Sequence, residues 1–148
     1  MPLPCVIFDI DGVLADNRHR LHYIQKTPEN WDVFYKAMAD DLPRSSMIRL
    51  VNSIRIVQQT VFLITGRSIE YEHITRAWLD RNTVGYDGLY QRPAKDHRPD
   101  HIIKFEILTK LRKVGYEPWL AVEDRPQVVE MWRREGIECL QTPCYEED

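Results

Sequence analysis

The sequence predicts an α/β fold with a central parallel sheet and helices on both faces. Short apolar runs rich in branched and aromatic residues recur at Cys5-Val6-Ile7-Phe8, Thr60-Val61-Phe62-Leu63-Ile64 and Trp119-Leu120-Ala121-Val122, as expected of strands buried on both sides. Segments with helical periodicity separate them. Strands that alternate with helices in this way pair in parallel, because each helix carries the chain back across the sheet.

Taken in order, the first strand ends at Asp9-Ile10-Asp11-Gly12. Residues 16–42 form a small cap-like insertion, with a polar stretch and an amphipathic helix from Trp31 to Met38. A helix from Arg44 to Val57 returns to the second strand, which stops at a Thr65-Gly66-Arg67 turn. A helix follows from Ile69 to Arg81, Gly85 to Tyr90 adds a further strand, and Gln91 to Pro99 is a polar loop of basic character. The helix from His101 to Val114 leads into the strand at 119–122, which meets Glu123-Asp124. Gln127 to Glu135 is a helix stopped by Gly136, and Ile137 to Gln141 reads as a weaker last strand.

With 148 residues, 43% of them hydrophobic, the chain has the size and apolar content of a single domain spanning residues 1–148. Its 20 basic and 23 acidic residues leave a formal charge of -3, so no global field draws it to nucleic acid or an anionic membrane. Any such contact must be local. Cys5, Cys139 and Cys144 are odd in number and lack metal-ligand spacing, which argues against a disulfide framework. Apolar runs fall far short of the ~20 residues of a membrane span, and the N-terminus has no secretory pattern. A cytoplasmic protein without membrane contact is expected; the sequence does not indicate an oligomeric state.

Four local patterns carry chemistry. Asp9 and Asp11 place two carboxylates where the first strand leaves the sheet, although Asp-x-Asp-Gly is also an ordinary turn. Thr65, Gly66 and Arg67 bring a hydroxyl, a flexible backbone and a guanidinium, a set suited to a phosphoryl group. Lys104, near the start of a helix, can neutralise a phosphate or a buried carboxylate, whereas a lone lysine there is usually solvated. Glu123 and Asp124 add hard oxygen ligands of the kind magnesium prefers, and a surface acidic pair is the plain alternative. Each pattern is weak alone, but all four fall at expected strand ends or at the start of the following helix.

In this order the motifs resemble the haloacid dehalogenase superfamily of phosphotransferases, along essentially the whole chain. The resemblance implies a three-layer sandwich with a Rossmann-like sheet and a small cap after the first strand. It also implies that Asp9 is a nucleophile that forms a phospho-aspartate and that Asp11 is the acid and base. Mg2+ is then held by Asp9, the Asp11 main-chain carbonyl and the Glu123-Asp124 pair, with Asp124 the favoured direct ligand. Thr65 and Lys104 would bind phosphoryl oxygens. Val13 and Glu123 depart from the superfamily's common threonine and aspartate without removing an essential group.

Within that superfamily, Val122-Glu123-Asp124-Arg125-Pro126-Gln127-Val128-Val129-Glu130-Met131-Trp132-Arg133 is similar to the closing segment of phage-type polynucleotide kinase 3′-phosphatase domains. That similarity also picks out Arg20, with Arg18 as its competitor, Arg67 and Asp100 as residues supporting the site. The two arginines would grip a phosphate or a neighbouring nucleotide. Asp100 would orient Arg67 or Lys104, or else cap its helix. The implied substrate is a 3′-phosphate end of DNA or RNA, or a 3′-nucleotide. Arg18-His19-Arg20 and Lys95 to His101 are candidates for a backbone track. Of the four tryptophans, Trp31 is the expected exception to core packing. No Gly-x-x-x-x-Gly-Lys-Ser/Thr loop occurs, which excludes a 5′-kinase on motif grounds. A 5′-nucleotidase of the same superfamily and a non-catalytic module that binds nucleic-acid ends are the competing expectations.

Overall fold

The computed structural model describes residues 1–145. Strand β1 (Leu3–Phe8) lies at the centre of a five-stranded parallel sheet. After it, the two-residue strand β2 (Ala15–Asp16) opens the insertion, which contains a 3-10 turn at Arg18–Arg20 and helices α1 (His22–Gln25) and α2 (Trp31–Lys36). A second 3-10 turn, Ala37–Asp40, leads to β3 (Leu42–Pro43), which pairs antiparallel with β2 and closes the base of the insertion.

The chain continues through α3 (Ser45–Ile56), β4 (Thr60–Ser68), α4 (Glu72–Arg81), β5 (Gly88–Arg92), α5 (Asp100–Lys113), β6 (Tyr116–Glu123), α6 (Pro126–Arg134) and β7 (Glu138–Gln141). Sheet order is β5-β4-β1-β6-β7. From β1 the chain builds outward to one side through β4 and β5, then returns to the other side with β6 and β7. The carboxyl end of β1 therefore sits at the switch point, where a parallel sheet opens a crevice for ligands.

Strand periodicity divides the core in two. Cys5 and Ile7 of β1 face α5 and α6, joining Ile103, Leu108, Val128 and Trp132. Val6 and Phe8 point to the opposite face, against Ile48 and Val51 of α3 and Trp78 and Leu79 of α4. This three-layer α/β arrangement is the one the sequence implies.

Two local expectations are corrected. The second strand does not end before Thr65: β4 runs through Thr65, Gly66 and Arg67 to Ser68, with a break in its pairing register to β5 between Ile64 and Ser68. Trp119 is not core; it is 49% exposed, and its indole N–H donates to Gln59. Residues on one strand alternate between faces, so an aromatic in an apolar run can still point outward. Trp78 and Trp132 are buried as expected, and Trp31 is exposed.

Candidate active site

The backbone after β1 first extends the sheet, with the Asp9 N–H donating to the Val122 carbonyl at 3.0 Å, and then turns sharply. The Ile10 carbonyl accepts N–H groups from Val13, Leu14 and Ala15. Gly12 occupies the left-handed region at φ +80°, and a Cβ there would lie 2.1 Å from Asp124 Oδ2. Only glycine permits both that backbone and the close approach of Asp124. The turn thus brings the first and last motifs together.

Asp9, Glu123 and Asp124 are all buried, and one carboxylate oxygen from each lies within 4.8 Å of the others. Lys104, also buried, enters from α5 and places Nζ 2.8 Å from Glu123 Oε1 and 3.1 Å from Asp9 Oδ1. Glu123 Oε2 in turn accepts the Asp124 N–H at 3.1 Å.

Electrostatics follow from this crowding. Burial raises Asp9 well above the usual carboxylate range, and Glu123 adds to the rise against the pull of Lys104. Burial and Glu123 together push Asp124 up to about 8. For Glu123, burial acts upward, but Lys104 and hydrogen bonds from its neighbours outweigh it and lower the group. Burial acts to lower Lys104, yet Asp9 and Glu123 overcome it and hold the ammonium charged. Three buried carboxyl groups facing one ammonium cannot all ionise without further positive charge, and their hard oxygen donors fit a divalent cation such as magnesium.

Asp11 lies in a different environment. Arg20 donates to its Oδ1 at 2.6 Å and Arg67 at 2.8 Å. Burial alone would raise this carboxyl, but the Arg67 and Arg20 guanidiniums outweigh it and hold Asp11 well below the usual range. Behind them, buried Asp41 accepts from Arg20 at 2.8 Å through both oxygens, from Arg67 at 3.1 Å and from His19 at 2.7 Å. Thr75 fixes another guanidinium nitrogen of Arg67 at 3.2 Å.

Several sequence expectations change at this point. Arg20 and Arg67 are buried and paired with Asp11 and Asp41, so they orient a carboxylate, and Arg67 also borders the cavity. Arg18 does not replace Arg20: it pairs with Asp16 and lies 4.6 Å from the centroid of the Tyr145 ring. The expected Arg18-His19-Arg20 track is therefore taken up by internal pairing. Thr65 is buried, with its hydroxyl accepting the Arg67 N–H at 3.1 Å.

Asp100 neither caps α5, whose N-cap residue is Pro99, nor hydrogen-bonds Arg67 or Lys104. It pairs with Arg92 and, at 3.4 Å, with Arg125. Its carboxylate packs over Gly66, where a Cβ would lie 2.4 Å from Oδ1. Arg92 also donates to the carbonyls of Gly66 at 2.8 Å and Asp96 at 3.1 Å, tying the 93–99 loop to the second motif. Asp41, Thr75 and Arg92 lie outside every motif of the sequence, and nothing local to Arg125 marks its bond to Asp100. Asp41 does end the insertion just before the chain returns to the core, a faint signal.

Asp9, Asp11, Gly66, Arg67, Asp100 and Asp124 all border one open cavity of about 630 Å³ at the carboxyl edge of the sheet. A central parallel sheet with these groups at its switch point is the architecture of the haloacid dehalogenase hydrolases, a class that includes phosphatases. Two solved structures share that fold at low identity. A class C acid phosphatase from Bacillus anthracis matches 99% of this chain and 69% of its own, at 15% identity and a TM-score of 0.70. A haloacid dehalogenase-like hydrolase from Streptococcus pneumoniae matches 94% and 84%, at 13% identity and a TM-score of 0.68.

Residues 3–144 match the model of the polynucleotide kinase PNKP phosphatase domain, and the chain belongs to that family. It is a phosphoric monoester hydrolase. A chain in the structure of a Pnkp1/Rnl/Hen1 complex is 29% identical, with a TM-score of 0.80 over 98% of this chain. The match spans 47% of that relative, so this chain covers just under half of its length. No helix among the described residues is long and apolar enough to cross a membrane.

Proposed function

We propose that this chain is a magnesium-dependent phosphatase that removes 3′-phosphates from DNA or RNA ends, or from 3′-nucleotides, through a phospho-aspartate on Asp9. Residues 1–148 act as one catalytic domain, and 16–42 form its cap. The observation that carries the reading is the meeting of Asp9, Lys104 and the Glu123-Asp124 pair at the switch point of the sheet. Family membership supports the nucleic-acid substrate.

Asp9, Asp124 and the Asp11 main-chain carbonyl would hold magnesium, which supplies positive charge against the repulsion between phosphate and carboxylate. Glu123 is the less direct ligand, because its oxygens already accept from Lys104 and the Asp124 N–H. Asp9 attacks phosphorus, the P–O bond to the 3′-carbon's oxygen breaks, and Asp11 gives its proton to the leaving oxygen. Asp11 then takes a proton from water, the water oxygen attacks phosphorus, and inorganic phosphate leaves with Asp9 restored. Lys104 offsets the charge on Asp9, and together with Thr65 and Gly66 would steady the phosphoryl oxygens.

In the resting site Arg20 and Arg67 favour ionised Asp11. A bound phosphate dianion competes for Arg67, which lines the cavity, and so relaxes that hold and favours the protonated acid. Two assays test the reading. Asp9→Asn should keep the fold and lose release of phosphate from an aryl phosphate in magnesium; undiminished turnover would reject Asp9. Phosphate release from a 3′-phosphorylated oligonucleotide, a 3′-nucleotide and a 5′-nucleotide should favour the 3′ substrates, whereas a 5′ preference would identify a 5′-nucleotidase.

A further inference from the structure

The cavity at Asp9 and Asp11 extends well beyond them. Its volume of about 630 Å³ falls in the range of ~300–1,000 Å³ that encloses whole organic ligands, so a phosphoryl group fills only part of it. Its lining includes the aromatic residues Trp31, Phe34, Tyr35 and Tyr71, and the basic residues Arg92 at the end of β5 and Lys95, His97 and Arg98 in the loop after it.

Most of these side chains already have partners. Phe34 is buried beneath the Arg20 guanidinium, 4.4 Å from its ring centroid. Tyr35 and Tyr71 stack on each other at 4.8 Å. Arg92 pairs with Asp100, and Arg98 with Asp96 and Glu106.

Trp31 and Lys95 stand apart. Trp31 is 45% exposed, meets Phe34 edge-on at 5.5 Å and donates its indole N–H to Glu29 at 2.6 Å. These contacts orient the ring and leave indole surface open. The Lys95 ammonium makes no ion pair among the described residues. Its backbone is held at φ +60°, with the N–H donating to Glu70 Oε1 at 3.2 Å. A lysine in that region carries backbone strain, which recurs at ligand-binding positions.

We propose that Trp31 and Lys95 form a recognition site for a single-stranded nucleic-acid 3′ end. The base beside the 3′-phosphate stacks on the Trp31 indole, and the phosphodiester on its 5′ side pairs with the Lys95 ammonium. This rests on the 3′-phosphatase reading above. Stacking on an exposed aromatic takes a base already free of its duplex partner. Pairing with Lys95 takes a phosphodiester, which a mononucleotide lacks.

The test compares kcat/KM for three substrates in the full chain: a single-stranded oligonucleotide with a 3′-phosphate, the same strand ending in an abasic 3′-phosphate, and a 3′-mononucleotide. Circular dichroism would first establish that Trp31→Ala and Lys95→Ala fold as the wild type does. Trp31→Ala should shrink the preference for the base-bearing over the abasic end by about 5- to 150-fold, the span of one base stack. Lys95→Ala should shrink the preference for oligonucleotide over mononucleotide. It should also lower the slope of log kcat/KM against log salt by about 0.7, one phosphate contact on a single strand. Unchanged ratios in both variants, with the wild type still preferring 3′-phosphates, would overturn this proposal and leave the 3′-phosphatase reading standing. A wild-type preference for a 5′-nucleotide, assayed beside these three substrates, would overturn both.

Discussion

Asp41 holds Arg20 in a buried bidentate pair, accepting Nε at Oδ1 and a terminal nitrogen at Oδ2, each at 2.8 Å. The same carboxylate reaches Arg67, and its main-chain carbonyl accepts the Trp78 indole N–H at 2.8 Å. Asp41 therefore anchors the end of the insertion to the core and fixes the two guanidiniums that face Asp11.

Removing Asp41 should leave buried positive charge with less compensation. Asp41→Ala is expected to lower stability by about 3–5 kcal/mol, as when one member of a buried ion pair is deleted. Asp41→Asn, which keeps the side chain's shape and one oxygen that accepts from an arginine, should lose less. Both should slow turnover of an aryl phosphate. Urea unfolding gives the energies, and a loss below about 1 kcal/mol for Asp41→Ala would show that the pair contributes little.

Gly12→Ala places a methyl group where Asp124 now sits, in a backbone region unfavourable to alanine. Magnesium should raise the melting temperature of the wild type by binding its folded state. The variant should lose most of that rise and melt lower even in chelator, by a few degrees per kcal/mol for a domain of this size. An equal magnesium-induced rise in both proteins would reject the packing role of Gly12.

Burial pushes Cys5 and Cys139 up to about 12. The reactive species is the thiolate, so at pH 8 roughly one such group in 10,000 is ionised, and that fraction grows tenfold for each further pH unit. A thiol reagent at pH 8 should modify Cys144 first and reach the other two only after unfolding in guanidinium. Equal rates for all three cysteines in the native protein would contradict the burial.

Asp100 joins Arg92 of β5 to Arg125 at the start of α6. Asp100→Ala should loosen the 93–99 loop, because Arg92 loses the partner that orients it toward the loop carbonyls. Limited proteolysis should then cut between residues 93 and 99 at least several-fold faster than in the wild type. Unaltered cleavage would assign the loop's order to other contacts.

Much of the site was legible because its main residues mark local transitions in chain pattern. Asp9 follows a buried apolar run, Glu123-Asp124 follows another, and Lys104 begins a helical period. Each signal needs only a few neighbouring residues, and their order gave the superfamily. The sequence alone determined the alternating α/β architecture and the places of the motifs along it, because strand and helix periodicities are short-range properties.

Only the tertiary structure decided which charges meet. Arg67 and Asp11 are 56 positions apart, Arg20 and Asp41 are 21 apart, and Asp100 finds Arg125 25 residues away. No local pattern distinguishes these arginines from solvated ones. Their roles follow from the sheet order and the docking of the insertion, which bury them beside carboxylates, and burial makes a charge without a counter-charge expensive.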